Sequence, residues 1–253
     1  MTANPRLTDW HGRRVWLVGA SAGIGAAMAR ELAARGARLA LTARSTDKLA
    51  ALAIADALLL PCDATDASAL RTARDTLVAT LGGVDLVIYL AGDYVPMRAE
   101  DFDLATAERV LAVNLNGALR LAAAVLGDLP PGGGIAFVAS VAGYRGLPKA
   151  LCYGPGKAAL IHFAEVLHLD LAPRGIGVWA INPGFVATRL TAQNDFSMPA
   201  LMTPEAAAIA AVDGFATGKF EIHFPKRFTR VLKFLSLLPY GLYFPAIRRF
   251  TGG

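Results

Sequence analysis

The chain has 253 residues, 55 % apolar and 18 % charged, which is enough to bury a large core in one domain or a tight pair and excludes a disordered polymer. The net charge of +5 is unevenly placed: Lys219 to Gly253 carries seven Lys/Arg against one acid, Glu221, and leaves 18 Lys/Arg against 19 Asp/Glu elsewhere. A near-neutral body with a basic tail argues against nucleic acid as a partner of the whole protein.

Val15–Val18 is a short apolar run that ends at Gly19, and Ala26–Arg35 has helical spacing closed by Gly36. Arg38–Thr42 predicts a second strand, Thr46–Ile54 a helix, and Ala57–Leu60 a third strand ended by Pro61. Thr65–Thr80 predicts a helix, Val84–Tyr89 a strand, Thr106–Leu126 a helix, Gly134–Ala139 a strand, Pro155–Ala172 a helix and Ile176–Ile181 a strand. Phe220–Phe224 is the last predicted strand. Strands alternating with helices of this length predict an α/β fold: a doubly wound, Rossmann-like parallel sheet with helices on both faces. Ligands of such a sheet lie beyond the C-terminal ends of its strands.

Cys62 and Cys152 are far apart and lack a second cysteine or histidine at ligand spacing, so two reduced thiols and no metal site are expected. Met1–Arg6 has no apolar core of a signal peptide, which suits a cytoplasmic protein.

Gly19-Ala20-Ser21-Ala22-Gly23-Ile24-Gly25 joins the first strand to the first helix. Glycines there let the backbone approach a pyrophosphate, and the helix start adds free N–H groups and a positive dipole end; a glycine turn without a ligand is the plainer alternative. After the second strand the chain reads Leu41-Thr42-Ala43-Arg44-Ser45. An acid there would hold the 2′-hydroxyl of NAD, whereas Arg44 suits the 2′-phosphate of NADP, so NADP(H) is favoured over NAD(H).

Tyr153 and Lys157 are four apart and share a helix face. A nearby ammonium would lower a phenol pKa toward neutrality and make it a usable acid or base. Ser140 ends a buried strand thirteen residues before Tyr153, and Asn114 is a polar residue in the middle of a helical stretch. Each has a bland explanation in capping, packing or solvation; together and in order behind a glycine turn they make a candidate site.

The Gly-x-x-x-Gly-x-Gly spacing and the Asn-Ser-Tyr-Lys quartet resemble the short-chain dehydrogenase/reductase family over roughly residues 10 to 225. The resemblance implies that Tyr153 exchanges a proton with the substrate oxygen, Ser140 hydrogen-bonds that oxygen, Lys157 tunes Tyr153 and holds the nicotinamide ribose, and Asn114 holds a relay water. It further implies that Asp63 contacts adenine, that Ala91-Gly92 pass the adenosine ribose, and that Pro183-Gly184 form a turn from which Val186 faces, and Thr188 contacts, the nicotinamide carboxamide. Dimers or tetramers are expected by the same analogy. Two departures stand out. Tyr89-Leu90 replace the family's Asn-Asn before Ala91-Gly92, and Pro155 between two glycines separates Tyr153 from Lys157, which places the helix start close to Gly154.

Tyr94, Val95, Met97, Val141, Tyr144, Leu147 and Phe185 are expected along the substrate cleft, with Leu190–Thr203, which includes Phe196, Met198, Leu201 and Met202, as a lid. A small hydrophobic carbonyl or alcohol fits such a lining better than a sugar. The chain thus divides into a dinucleotide-binding and catalytic part, 1–225, and a basic amphipathic extension, 226–253. Fourteen uncharged residues between Lys233 and Arg248 would span about 21 Å as a helix, short of a bilayer, and Pro239, Gly241 and Pro245 would break it. The extension is expected to cover the cleft, pack on another subunit, or make peripheral membrane contact through 226–250. Two functional readings follow: an NADP-dependent reductase or dehydrogenase, or a nucleotide-sensing or membrane-docking relative that lost turnover. Intact Ser140, Tyr153 and Lys157 favour the first.

Overall fold

The computed structural model describes residues 3–251; Met1, Thr2, Gly252 and Gly253, at the outer ends of the two segments expected above, lie outside the described residues. In chain order the elements are β1 (Arg14–Val18), α1 (Gly23–Ala34), β2 (Arg38–Thr42), α2 (Thr46–Ala50), β3 (Leu58–Leu59), α3 (Ala67–Leu81), β4 (Leu86–Tyr89), α4 (Leu104–Leu111), α5 (Gly117–Val125), β5 (Gly134–Val138), α6 (Tyr153–Leu171), β6 (Gly177–Pro183), α7 (Pro204–Phe215), β7 (Glu221–Phe224), α8 (Lys226–Ser236) and α9 (Tyr240–Thr251). All seven strands pair in parallel, in the order β3-β2-β1-β4-β5-β6-β7. The order reverses between β1 and β4, and that is where a doubly wound sheet opens a crevice for ligands.

Alternation along β1 shows how two layers are filled. Val15 and Leu17 point into one apolar layer with α1 and α7; Trp16 and Val18 point into the other with α3, α5 and α6. Side chains a strand residue apart face opposite ways, so an almost uninterrupted apolar run is what a sheet covered on both sides requires. Each fully buried large side chain in these layers, such as Phe137 or Leu32, stabilises the fold by about 1.5–3 kcal/mol relative to exposure. The N-terminal segment is stitched on by Asn4, whose side chain exchanges two hydrogen bonds with the Val178 main chain at 2.6 and 3.0 Å.

Local chemistry sets the boundaries. Asp66 caps α3 by accepting from the Ser68 and Ala69 N–H groups, and Gly82 at φ +78° ends it; Thr203 caps α7, with Pro204 in its first turn. Three expectations need correction. The second helix stops at Ala50, because Ala53 and Asp56 take left-handed φ and turn the chain early. The third strand keeps only Leu58 and Leu59, being an edge paired on one side and stopped by Pro61. The helix expected over Thr106–Leu126 is two α-helices joined by a π-helical segment, Ala112–Asn116.

Candidate active site

The glycine turn is shaped by close approach. Gly19 has φ +100°, and a Cβ on it would lie 2.4 Å from the Ala91 nitrogen; one on Gly25 would lie 2.1 Å from the Gly19 carbonyl oxygen. The turn after β1 therefore rests directly on Leu90-Ala91 after β4. Ala22 precedes α1 without a side-chain cap, and the first turn holds no acid, so among the described residues the opening N–H groups of α1 meet no side-chain acceptor and carry the positive end of the helix dipole. That donor set fits a pyrophosphate. Thr188 closes the turn from the far side, its Cγ2 3.0 Å from where a Gly23 Cβ would stand. Val186 is buried and bridged to Met202.

Arg44 and Asp63 are exposed on the neighbouring loops after β2 and β3, which are tied by the Cys62 N–H donating to the Ala43 carbonyl at 3.1 Å. Arg44 makes no ion pair among the described residues, while one Asp63 oxygen accepts from the Thr65 N–H and hydroxyl at 2.8 Å each. They mark the outer end of the same crevice.

At its inner end the chemistry gathers. Asn114 is fully buried in the π-helical segment; its amide donates to the Asp93 carbonyl at 2.6 Å and the Val110 carbonyl at 3.0 Å, and its oxygen accepts from the Asp93 N–H at 3.3 Å. A Cβ on Gly92 would stand 3.1 Å from that oxygen and 3.8 Å from Lys157 Nζ, so Gly92, Asn114 and Lys157 meet at one point. Lys157 is 3 % exposed and donates to the Val138 carbonyl at 2.8 Å. Its Nζ lies 5.6 Å from the Tyr153 ring centre, and Tyr94 packs edge-on against Tyr153 at 5.0 Å. Ser140 Oγ accepts from the Ala142 N–H at 3.1 Å.

The helix bearing the pair begins at Tyr153, ahead of both the expected Pro155 and Gly154, with exposed Pro155 in its first turn. The pKa relation also differs from expectation. Burial, opposed by Ser140, pushes the Tyr153 phenol up to about 12, and burial pulls Lys157 down to about 7. One cause acts on both: desolvation disfavours phenolate and ammonium alike. A lysine that sheds its proton near neutrality gives little charge with which to lower the tyrosine.

Most of the residues expected along a substrate cleft divide between two packed clusters. Met97 and Val95 pack with Cys152, Ala107 and Val110 in a small core beside α4. Val141, Tyr144 and Phe185 instead meet Phe228, Leu232 and Leu235 of α8. The segment expected as a lid is tied down: Tyr94 donates to Asn194 at 3.0 Å, Gln193 donates to the Tyr94 carbonyl at 3.0 Å, Lys149 pairs with Asp195, and Phe196 packs on Phe185 at 5.8 Å.

Several contributing residues were not singled out as site residues in the sequence. Asp93 frames Asn114 and pairs with Arg109. Glu221 accepts from Tyr144, from Asn182 at 2.8 Å and from Lys233, and these partners hold its carboxyl below the usual range. Arg145 donates to the Ser236 carbonyl at 2.9 Å and sits 4.4 and 4.2 Å over the rings of Tyr240 and Tyr243. The one available signal was Glu221, the lone acid of a basic tail.

The sequence pattern of the short chain dehydrogenases matches residues 13–197, and the chain belongs to the short-chain dehydrogenase/reductase family of oxidoreductases. An uncharacterized oxidoreductase of Myxococcus xanthus is 34 % identical over 251 residues, 96 % of this chain and 99 % of its own length. The 3-oxoacyl-[acyl-carrier-protein] reductase of Escherichia coli is 34 % identical over 193 residues, 72 % of this chain and 77 % of the relative. A short chain dehydrogenase of Burkholderia cenocepacia solved in complex with NADP superimposes with a TM-score of 0.76 at 27 % identity, covering 85 % of this chain and 97 % of that one.

Proposed function

We propose that this oxidoreductase transfers a hydride between NADP(H) and a small hydrophobic carbonyl or alcohol, with Tyr153 as the proton donor or acceptor. The observation that carries the reading is the meeting of Gly92, Asn114, Lys157 and Tyr153 at the inner end of a crevice that also passes the uncapped start of α1. A bound nicotinamide supplies the hydride. Gly19, Ser21, Gly23, Ile24 and Gly25 would cradle the pyrophosphate, Arg44 the 2′-phosphate, Asp63 the adenine, and Ala91-Gly92 the adenosine ribose. Lys157 would hold the nicotinamide ribose, and Pro183, Gly184, Val186 and Thr188 the carboxamide end.

In the reductive direction the Tyr153 hydroxyl gives its proton to the carbonyl oxygen, which Ser140 also hydrogen-bonds, and the phenolate left behind is reprotonated from solvent. Both amide hydrogens of Asn114 are engaged by Asp93 and Val110, so a relay water at this residue would be held by one of its oxygens. An anionic ligand beside Lys157 favours its charged form and, through it, the phenolate. Apolar Val141 and Phe185 under α8 support an apolar substrate. A homo-oligomer, dimer or tetramer, is the assembly proposed.

The test is NADPH oxidation against a panel of apolar ketones and aldehydes, with NADH and Tyr153→Phe as controls. The expected result is turnover with NADPH that falls by about 10²–10⁴ in Tyr153→Phe while cofactor binding survives. Equal turnover in the variant would remove Tyr153 from the chemistry.

A further inference from the structure

The extension after β7 is an antiparallel helical hairpin. Phe228 near the start of α8 stacks 6.5 Å from Phe250 near the end of α9, so the two helices leave and return at the same end, and Leu237-Leu238-Pro239 forms the turn at the other. The inner face is anchored: Phe228, Leu232, Tyr243 and Ile247 are buried, the Tyr243 hydroxyl donates to the Gly146 carbonyl at 2.7 Å, and Arg145 binds the turn. The outer face around the turn is apolar and bare. Phe234 is 65 % exposed, Leu237 82 % and Tyr240 67 %, and Val231, Leu242 and Phe244 are exposed with them. An exposed apolar cluster of that extent calls for a partner.

The charges lie at the opposite end. Lys226, Arg227 and Arg230 on α8 and Arg248 and Arg249 on α9 are all exposed, and no acid occurs from Lys226 to Thr251. Lys233, the remaining cation, is engaged by Glu221. Along α8 the step from Arg230 to Leu237 is about 10 Å at 1.5 Å per residue. An apolar tip about 10 Å ahead of a basic collar matches the depth between the acyl boundary and the headgroups of a bilayer.

We propose that the hairpin docks this protein on an anionic lipid surface, with Phe234, Leu237 and Tyr240 in the interface and the arginine collar at the headgroups. A spanning arrangement does not fit, since no helix among the described residues is long and apolar enough to cross a membrane. A second copy of the chain is a poorer occupant, because it would cover the apolar tip but offer the basic collar no counter-charge, no acid occurring from Lys226 to Thr251, whereas an anionic surface meets both. The hairpin's inner face closes on Val141, Tyr144 and Phe185, so docking turns the candidate cleft toward the lipid. The proposal stands independently of the reductase reading, because binding is read without turnover.

The experiment is co-sedimentation of the full chain with vesicles of phosphatidylcholine alone and of phosphatidylcholine mixed with phosphatidylglycerol, at low and high salt. Wild type should partition onto the mixed vesicles, and high salt should weaken it. The double variant Phe234→Ser/Leu237→Ser should lower that partition at least about tenfold with an unchanged melting curve; Leu242→Ser serves the same purpose should the double variant not fold. Arg230→Gln/Arg249→Gln should lower partition onto the mixed vesicles by about thirtyfold. No partition of wild type, or partition that neither pair of substitutions alters, overturns the proposal. It is equally overturned if light scattering shows an oligomer that Phe234→Ser/Leu237→Ser dissociates while wild type ignores vesicles, which would make the hairpin a self-association face.

Discussion

Lys157 has one acceptor among the described residues, the Val138 carbonyl, and an ammonium held there exchanges its hydration for a single neutral partner. Its pKa is about 7 against an ordinary 10.5. Between those values the unfolded chain holds a proton that the folded protein has shed, so this residue makes stability rise with pH up to about 10.5, and its full penalty is present below 7. Lys157→Met should therefore stabilise the cofactor-free protein most at pH 7 and below, and flatten the rise toward pH 10. Denaturant melts at pH 7 and 9.5 check this, and a variant with an unaltered pH slope would contradict it. Gly19→Ala places a methyl group 2.4 Å from the Ala91 nitrogen at φ +100°; the left-handed conformation alone costs about 1–3 kcal/mol, so the midpoint of unfolding should drop and dinucleotide affinity with it. Arg44→Ala should raise the KM for NADPH by about tenfold or more and leave that for NADH nearly unchanged, since a charge-assisted hydrogen bond is worth about 1.5–3 kcal/mol. The residue types at these positions were legible because each is tied to a local turn or helix start. The pKa relation between Tyr153 and Lys157 was not, because it depends on how much water β5, α6 and the loop after β4 exclude.

At the scale of elements, the π-helical segment and the hairpin are the features the sequence concealed. Apolar spacing over Thr106–Leu126 fits one helix, and a single extra residue in a turn leaves that pattern nearly intact. Only the misplaced polarity of Asn114 hinted at it. Pro245 was expected to stop a helix, yet α9 runs through it: Pro245 and Gly241, the residue whose carbonyl loses its donor, are both exposed, so water can take that bond. The hairpin is held by Arg145, placed 91 residues before its partner Ser236 in the chain. Arg145→Ala should cost about 1–3 kcal/mol locally and speed amide exchange across 236–251, with the sheet unaffected. Unchanged exchange there would show that the buried Tyr243 and Ile247 suffice.

For the molecule as a whole, the crevice at the β1/β4 reversal joins both halves of the sheet, so a dinucleotide bound along it stabilises the entire domain rather than one loop. At about a hundred times its Kd a ligand adds about 2.7 kcal/mol, which for a chain of this size raises Tm by about 5–10 °C. NADPH should reach that shift at lower concentration than NADH, and scanning calorimetry with each decides it; equal shifts at equal concentration would take Arg44 out of cofactor choice.

The sequence alone determined the alternation of strands and helices, the parallel sheet, the glycine turn, and the order Asn114, Ser140, Tyr153, Lys157. All of these are encoded in windows no longer than one element, through side-chain period, turn chemistry and helix capping. Tertiary structure decided what distant segments do to one another: Asp93 on Asn114, Glu221 between Tyr144 and Lys233, α8 over Val141 and Phe185, and a hairpin whose two basic ends meet. Those pairings arise from the packing of residues remote in sequence, where the free energy lies in excluded water and matched shapes that no local pattern records.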